Sequence, residues 1–256
     1  MQPVQLDYKR YIFLLCVLGS MLLTSCGIQS FIYLEKPQRS GHDPSNITDL
    51  SARYCQFATA DTQNLAAVGD YFRGTEIYYR IYERKNDCEN DRSQINQYND
   101  DNPFSAVQYL ETTKRYYRLE TTTISTRPLI GRQSSSVTVR FRLQDYGTPV
   151  TDPVQLRVAG SPQGIPLRDS RIPNTKRNFD RDDIAVGDAD VQQASVSGGT
   201  EEYWCVNFYA VSYGYTDTFT TLYSALEYLG YIFIEKNPSA TGTRQHLVRS
   251  TVHWNT

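Results

Sequence analysis

Hydrophobic and polar residues alternate along much of this chain. Val137, Val139, Phe141 and Leu143 interleave with Thr138, Arg140, Arg142 and Gln144, the period of a strand with one wet face. Val154, Leu156 and Val158 repeat the pattern. Gly74 to Glu83 (GTEIYYRIYE) is dense in β-branched and aromatic residues, with Thr75, Ile77, Tyr79 and Ile81 on one face. Ala52 to Ala58, Tyr203 to Tyr213 (YWCVNFYAVSY), Tyr231 to Ile234 and a first strand at Phe31 to Leu34 complete the predicted set. One region predicts helix: Asn102-Pro103 opens Phe104 to Arg115, where Phe104, Val107, Tyr109 and Leu110 share a face, with Asp91 to Tyr98 as a preceding helical turn. Between Gly160 and Thr200, Pro162, Pro166, Pro173, Gly164, Gly187, Gly198 and Gly199 interrupt any period. That stretch predicts an exposed, mobile excursion.

Composition strengthens the β reading. There are 20 Tyr and 10 Phe but only 2 Met, and tyrosine suits a pleated surface where the ring packs and the hydroxyl stays wet. With 26 Lys and Arg against 28 Asp and Glu, the net charge is -2. So balanced a chain lacks the field needed to grip nucleic acid through bulk charge, and no nucleic-acid partner is expected.

The leader carries the sharpest motif. Lys9 and Arg10 precede an apolar run from Tyr11 to Leu23. The run is shorter than the roughly 20 residues that cross a bilayer as a helix, which makes it the core of a signal peptide. It ends in Leu23-Thr24-Ser25-Cys26, which resembles the lipobox of bacterial lipoproteins. The thiol is the nucleophile that can take a lipid as a thioether. The resemblance implies a signal peptide over 1–25 and lipidation of Cys26, with diacylglyceryl and palmitate-type chains that hold the protein to a membrane. It further implies a short tether with the first strand over 26–48 and one domain over 49–256. Gly27, where an Asp would mark inner-membrane retention in enterobacteria, points to the outer rather than the inner membrane of a cell envelope.

A second resemblance rests on Cys55 in the second predicted strand, Tyr71-Phe72 before the third, and Tyr203-Trp204-Cys205 opening a later one. GTEIYYRIYE is similar to the third strand of a fibronectin type III module, and VNFYAVSYG to strand F with its turn. The implied fold class is mainly β: an immunoglobulin-like or fibronectin type III-like sandwich with a short helical and loop-rich insertion around 84–200. The same resemblance sets Cys55 against Cys205 across the sheets as a disulfide, with Cys88 left exposed in a polar run. Three free, buried cysteines remain the open alternative.

Catalytic signatures are absent: the sequence holds no nucleophile elbow, phosphate loop or HExxH helix, and no cofactor is expected. His42, His246 and His253 fall in predicted loop or terminal segments. Asp180, Asp182, Asp183, Asp188 and Asp190 form the richest acidic cluster, and Asp180-Arg181-Asp182 begins like a calcium loop. The likeness fails at Ile184 and Gly187, so a solvated acidic loop is the competing reading. Tyr78, Arg80, Tyr82 and Arg84 would present a flat aromatic and cationic face to a carbohydrate or protein ligand if their side of the sheet were uncovered. Cross-strand packing with snorkelled arginine stems is the plainer account. The expected function is a lipid-anchored cell-envelope binding or structural module without catalytic activity. A lipid-anchored envelope hydrolase and an assembly factor docking an envelope complex are the alternatives.

Overall fold

The computed structural model describes residues 32–45, 49–144, 153–173, 176–195, 201–218 and 220–236. The leader, Cys26 and Phe31 lie outside the described residues, as do His246 and His253. The strands, in order, are β1 (Gln38–Arg39), β2 (Cys55–Ala58), β3 (Phe72–Tyr82), β4 (Tyr117–Arg118), β5 (Glu120–Thr121), β6 (Ile130–Gly131) and β7 (Thr138–Phe141). They continue with β8 (Leu156–Val158), β9 (Ser161–Pro162), β10 (Pro166–Leu167), β11 (Val191–Gln192), β12 (Tyr203–Tyr215), β13 (Thr221–Tyr223) and β14 (Glu227–Glu235). Helices are α1 (Asp61–Val68) and α2 (Lys85–Asp101).

The fold is mainly β, built on a large curled sheet. Its spine is β3 antiparallel to β12, with Cys205 opposite Tyr82 and Tyr209 opposite Tyr78. Along its other edge β12 pairs with β14 and then β13. The free edge of β3 takes β6 and β4 antiparallel and β11 parallel. Between Phe208 and Tyr209 the β12–β14 register shifts by one residue, beside Gly230 at φ 115°. That backbone conformation suits glycine, and a Cβ there would meet Pro44 Cγ at 2.5 Å. A second antiparallel sheet runs β1-β2-β7-β8-β9.

Alternation then sorts side chains into two cores. Ile77, Tyr79 and Ile81 of β3, Val206, Phe208 and Ala210 of β12, and Ile232 and Ile234 of β14 pack on Phe57, Val139, Phe141 and Leu156 of the second sheet. Tyr78 and Tyr82, with Cys205, Tyr209, Val211 and Phe233, face the other way, against Cys88 and Ile95 of α2 and against Val107 and Leu110. Both faces of the spine are therefore covered. No described helix is long and apolar enough to cross a membrane.

Several sequence expectations are corrected. Ile32 to Leu34 form no strand among the described residues, although Leu34 is buried. The expected turn at Asp91 to Tyr98 is part of the longer main helix α2, whereas Phe104 to Arg115 breaks into a 3-10 turn ending at Ser105, a short α turn (Ala106–Gln108) and a π turn (Tyr109–Thr113). The described part of the 160–200 stretch is no exposed excursion. Ile172, Phe179, Ile184 and Val191 enter the first core, and Arg168, Asp169 and Asp190 are wholly buried. Polar anchors hold these loops, which is why no period betrays them.

Candidate functional site

The acidic cluster is organised around an arginine. Arg168 donates from Nε to Asp190 Oδ2 at 2.8 Å, from Nη2 to Asp188 at 2.8 Å, and from Nη1 to the Asp183 carbonyl at 2.9 Å. Nη2 also reaches the second oxygen of Asp190. The Tyr79 hydroxyl donates to Asp190 at 2.8 Å and accepts from the Asp169 N–H at 3.0 Å. Asp188 Oδ2 and both oxygens of Asp190 thus already serve a cation, the guanidinium. Asp183 pairs with Lys176 at 3.0 Å and accepts from Asn178. The calcium reading of Asp180, Asp182, Asp183, Asp188 and Asp190 is therefore corrected, and no described group of three such residues could hold a metal ion.

What the loop does form is a rim. A groove of about 870 Å³ has Leu143, Val154, Ile165 and Phe179 among its apolar lining residues, and four acidic ones, Asp180, Asp182, Asp183 and Glu235, against one basic one, Arg181. Burial and the charges of Asp183 and Asp182 push the Asp180 carboxyl up from its ordinary value. Carboxylates crowding one another beside apolar surface favour a ligand that brings positive charge.

The proposed aromatic face is not a surface. Tyr78 and Tyr82 are fully buried because α2 and the 106–113 turns lie over them. The Tyr82 hydroxyl donates to Asp91 at 2.7 Å, and that of Tyr78 donates to Glu111 and accepts from Arg127, both at 2.8 Å. Burial pushes both phenols well above their usual range. Arg80 is half-buried, its guanidinium 5.8 Å from the Tyr82 ring centre, and Arg84 immediately precedes α2. Packing won over presentation.

The disulfide expectation is also corrected. Cys205 is bridged to Cys88, with Cα atoms 6.4 Å apart, and Cys55 is a buried free thiol. Parity decides the pairing: on β12, Cys205 shares the helix-facing side with Tyr209 and Val211, whereas Cys55 lies in the opposite core with Phe57. Trp204, Val206 and Phe208 form the alternate set, a signal already present in the sequence. Burial pushes the Cys55 thiol up strongly.

One constellation escaped sequence reasoning. Glu76 is wholly buried on β3, and its Oε1 accepts from Arg127 Nε at 2.8 Å with Arg118 at 3.8 Å. Arg127 also donates to the hydroxyls of Tyr78 and Tyr223, each at 2.8 Å. Burial raises the Glu76 pKa against the opposing pull of these arginines. Since Glu76 is sealed from solvent, it positions Arg127 and cannot itself touch a ligand.

No known protein family's profile matches the chain, and neither a curated protein nor a solved structure resembles it measurably.

Proposed function

We propose that this protein is a lipid-anchored binding module of a bacterial cell envelope, held to the membrane through Cys26 and acting without catalysis. The observation that carries the reading is the Cys88–Cys205 bridge. Disulfides persist in oxidising compartments outside the cytosol, which agrees with an exporting leader that ends in Leu23-Thr24-Ser25-Cys26. Delivery to the outer membrane follows from Gly27 in the same reading. An immunoglobulin-like or fibronectin type III-like origin belongs to it as well. Two antiparallel sheets sharing one core support that origin, while the helical layer and the parallel β11–β3 pair depart from it.

The surface offered for binding is the acid-rimmed groove, which suits a cationic protein segment carrying apolar side chains. That surface equally supports a role in docking an envelope complex. Expression of the full chain and of Cys26→Ala in a lipoprotein-processing bacterium, with labelled fatty acid and membrane fractionation, tests the anchor. Label and membrane association should both be lost in the variant. Unchanged labelling and unchanged fractionation would refute it.

A further inference from the structure

A second depression, of about 420 Å³, is lined by Glu111, Arg115, Tyr116, Tyr117 and Arg171. Its size falls at the small end of ligand pockets. Three features mark it as more than a surface dimple. First, Glu111 comes from the π turn Tyr109–Thr113, a rare helical form that recurs at functional sites. Second, Arg115 sits just beyond that turn at φ 52°, where a residue bearing a Cβ is uncommon, and its exposed guanidinium has no partner among the described residues. Third, Arg171 is held in place: Nε donates to Asp169 Oδ1 at 2.9 Å and Nη2 to Oδ2 at 2.6 Å, which leaves Nη1 uncommitted. Asp169 is wholly buried, so this arginine is anchored from below.

Beneath the cleft the polar network continues inward. The Tyr78 hydroxyl donates to Glu111 Oε1, Arg127 donates to Tyr78, and Glu76 holds Arg127 with its second oxygen buried and unpartnered. Glu111 is thereby fixed in direction while its other oxygen remains available to accept.

We infer that this cleft binds a carboxylate-bearing sugar, of the uronic acid class, with its carboxylate on Arg115 and Arg171, its hydroxyls on Glu111 and its ring against Tyr117. A guanidinium matches a carboxylate through paired N–H donors. A carboxylate beside it selects for a ligand that also donates, which a bare inorganic anion does not. The half-buried Tyr117 ring supplies an apolar wall for the sugar's C–H face. The inference is independent of the lipid anchor and of the acid-rimmed groove.

The test is titration of the purified full chain in detergent micelles with a short uronic acid oligomer, followed by calorimetry. A neutral glucose oligomer and sodium sulfate are the comparison ligands. Binding of the uronate alone is expected, and Arg115→Asn should weaken it about tenfold or more, because one charge-assisted contact is removed. Asparagine tolerates the left-handed backbone, so the melting temperature should hold. Saturable uronate binding that the variant loses sustains the assignment. No binding at millimolar ligand, equal binding of the neutral oligomer, sulfate binding as tight as uronate, or an undiminished variant would each overturn it.

Discussion

Arg168 and Asp190 meet with neither side chain exposed to solvent, joined through Nε at 2.8 Å and again through Nη2. Removing one partner of such a pair strands a buried charge, which costs about 3–5 kcal/mol. Arg168→Met should therefore lower urea stability by about that amount, while Arg168→Met combined with Asp190→Leu should cost less than the single change. Denaturant titration of both variants decides. A single-variant loss below about 1 kcal/mol would show that the pair is dispensable.

The Cys88–Cys205 bridge closes a sequence separation of 117 residues. In the chain-entropy account a loop of roughly 100 residues contributes about 4.7 kcal/mol. Cys205→Ser should lower stability by a few kcal/mol, of order 2–5. Among Cys55, Cys88 and Cys205, alkylation after denaturation without reductant should modify Cys55 alone, as read by peptide mass mapping. In the native protein Cys55 should resist alkylation near pH 8.5, since burial both covers the thiol and suppresses its thiolate.

Acid sensitivity has a local source at Asp169. Burial pushes its carboxyl up, but the hydrogen bonds and charge of Arg171, with help from the Arg118 N–H, outweigh that and hold it below its ordinary 3.8. A carboxyl depressed in the folded state adds stability above about pH 3.8, and that stability is lost as pH falls through the folded value. Arg171→Gln should be less stable than the parent at pH 6, with the gap shrinking toward zero as pH drops below 3.8. Melting curves across that range provide the check, and a gap that stayed constant to the lowest pH would contradict it.

Gly230 occupies the register shift between β12 and β14 at φ 115°, with Pro44 in its way. Gly230→Ala combines a strained backbone with a clash against a proline ring, and should cost about 1–3 kcal/mol. Gly160→Ala is the control. It shares a positive φ of 80° but has nothing within 4 Å, so it should pay only the backbone part of that cost.

Much of the sheet was legible from period alone. GTEIYYRIYE and YWCVNFYAVSY became the two central strands because β-branched and aromatic residues at both parities can be buried on both faces. Of α2 only the Asp91 to Tyr98 turn was legible and its full extent was not, since KNDCENDRSQINQYNDD offers no apolar stripe and buries only Cys88, Ile95 and two aspartates. It docks through polar contacts instead: Asp91 accepts from Tyr82 at 2.7 Å and from Lys114 at 2.8 Å, and Asp87 accepts from the Ser195 hydroxyl at 2.6 Å. The same inversion hid the acidic loop, where Asp190 reads as a solvated residue and is an interior one. Glu76 and Arg127 lie 51 positions apart, so no local pattern could pair them.

The two-sided burial of β3 and β12 has a consequence for errors in assembly. If those strands paired one step out of phase, Asn207 and the bridging sulfur of Cys205 would be delivered to the greasy compartment, while Phe208 would land among tyrosine hydroxyls and carboxylates. A sheet with one watery side can forgive such a shift in half its residues. Here every residue of the spine votes on the alignment, and both juries must agree.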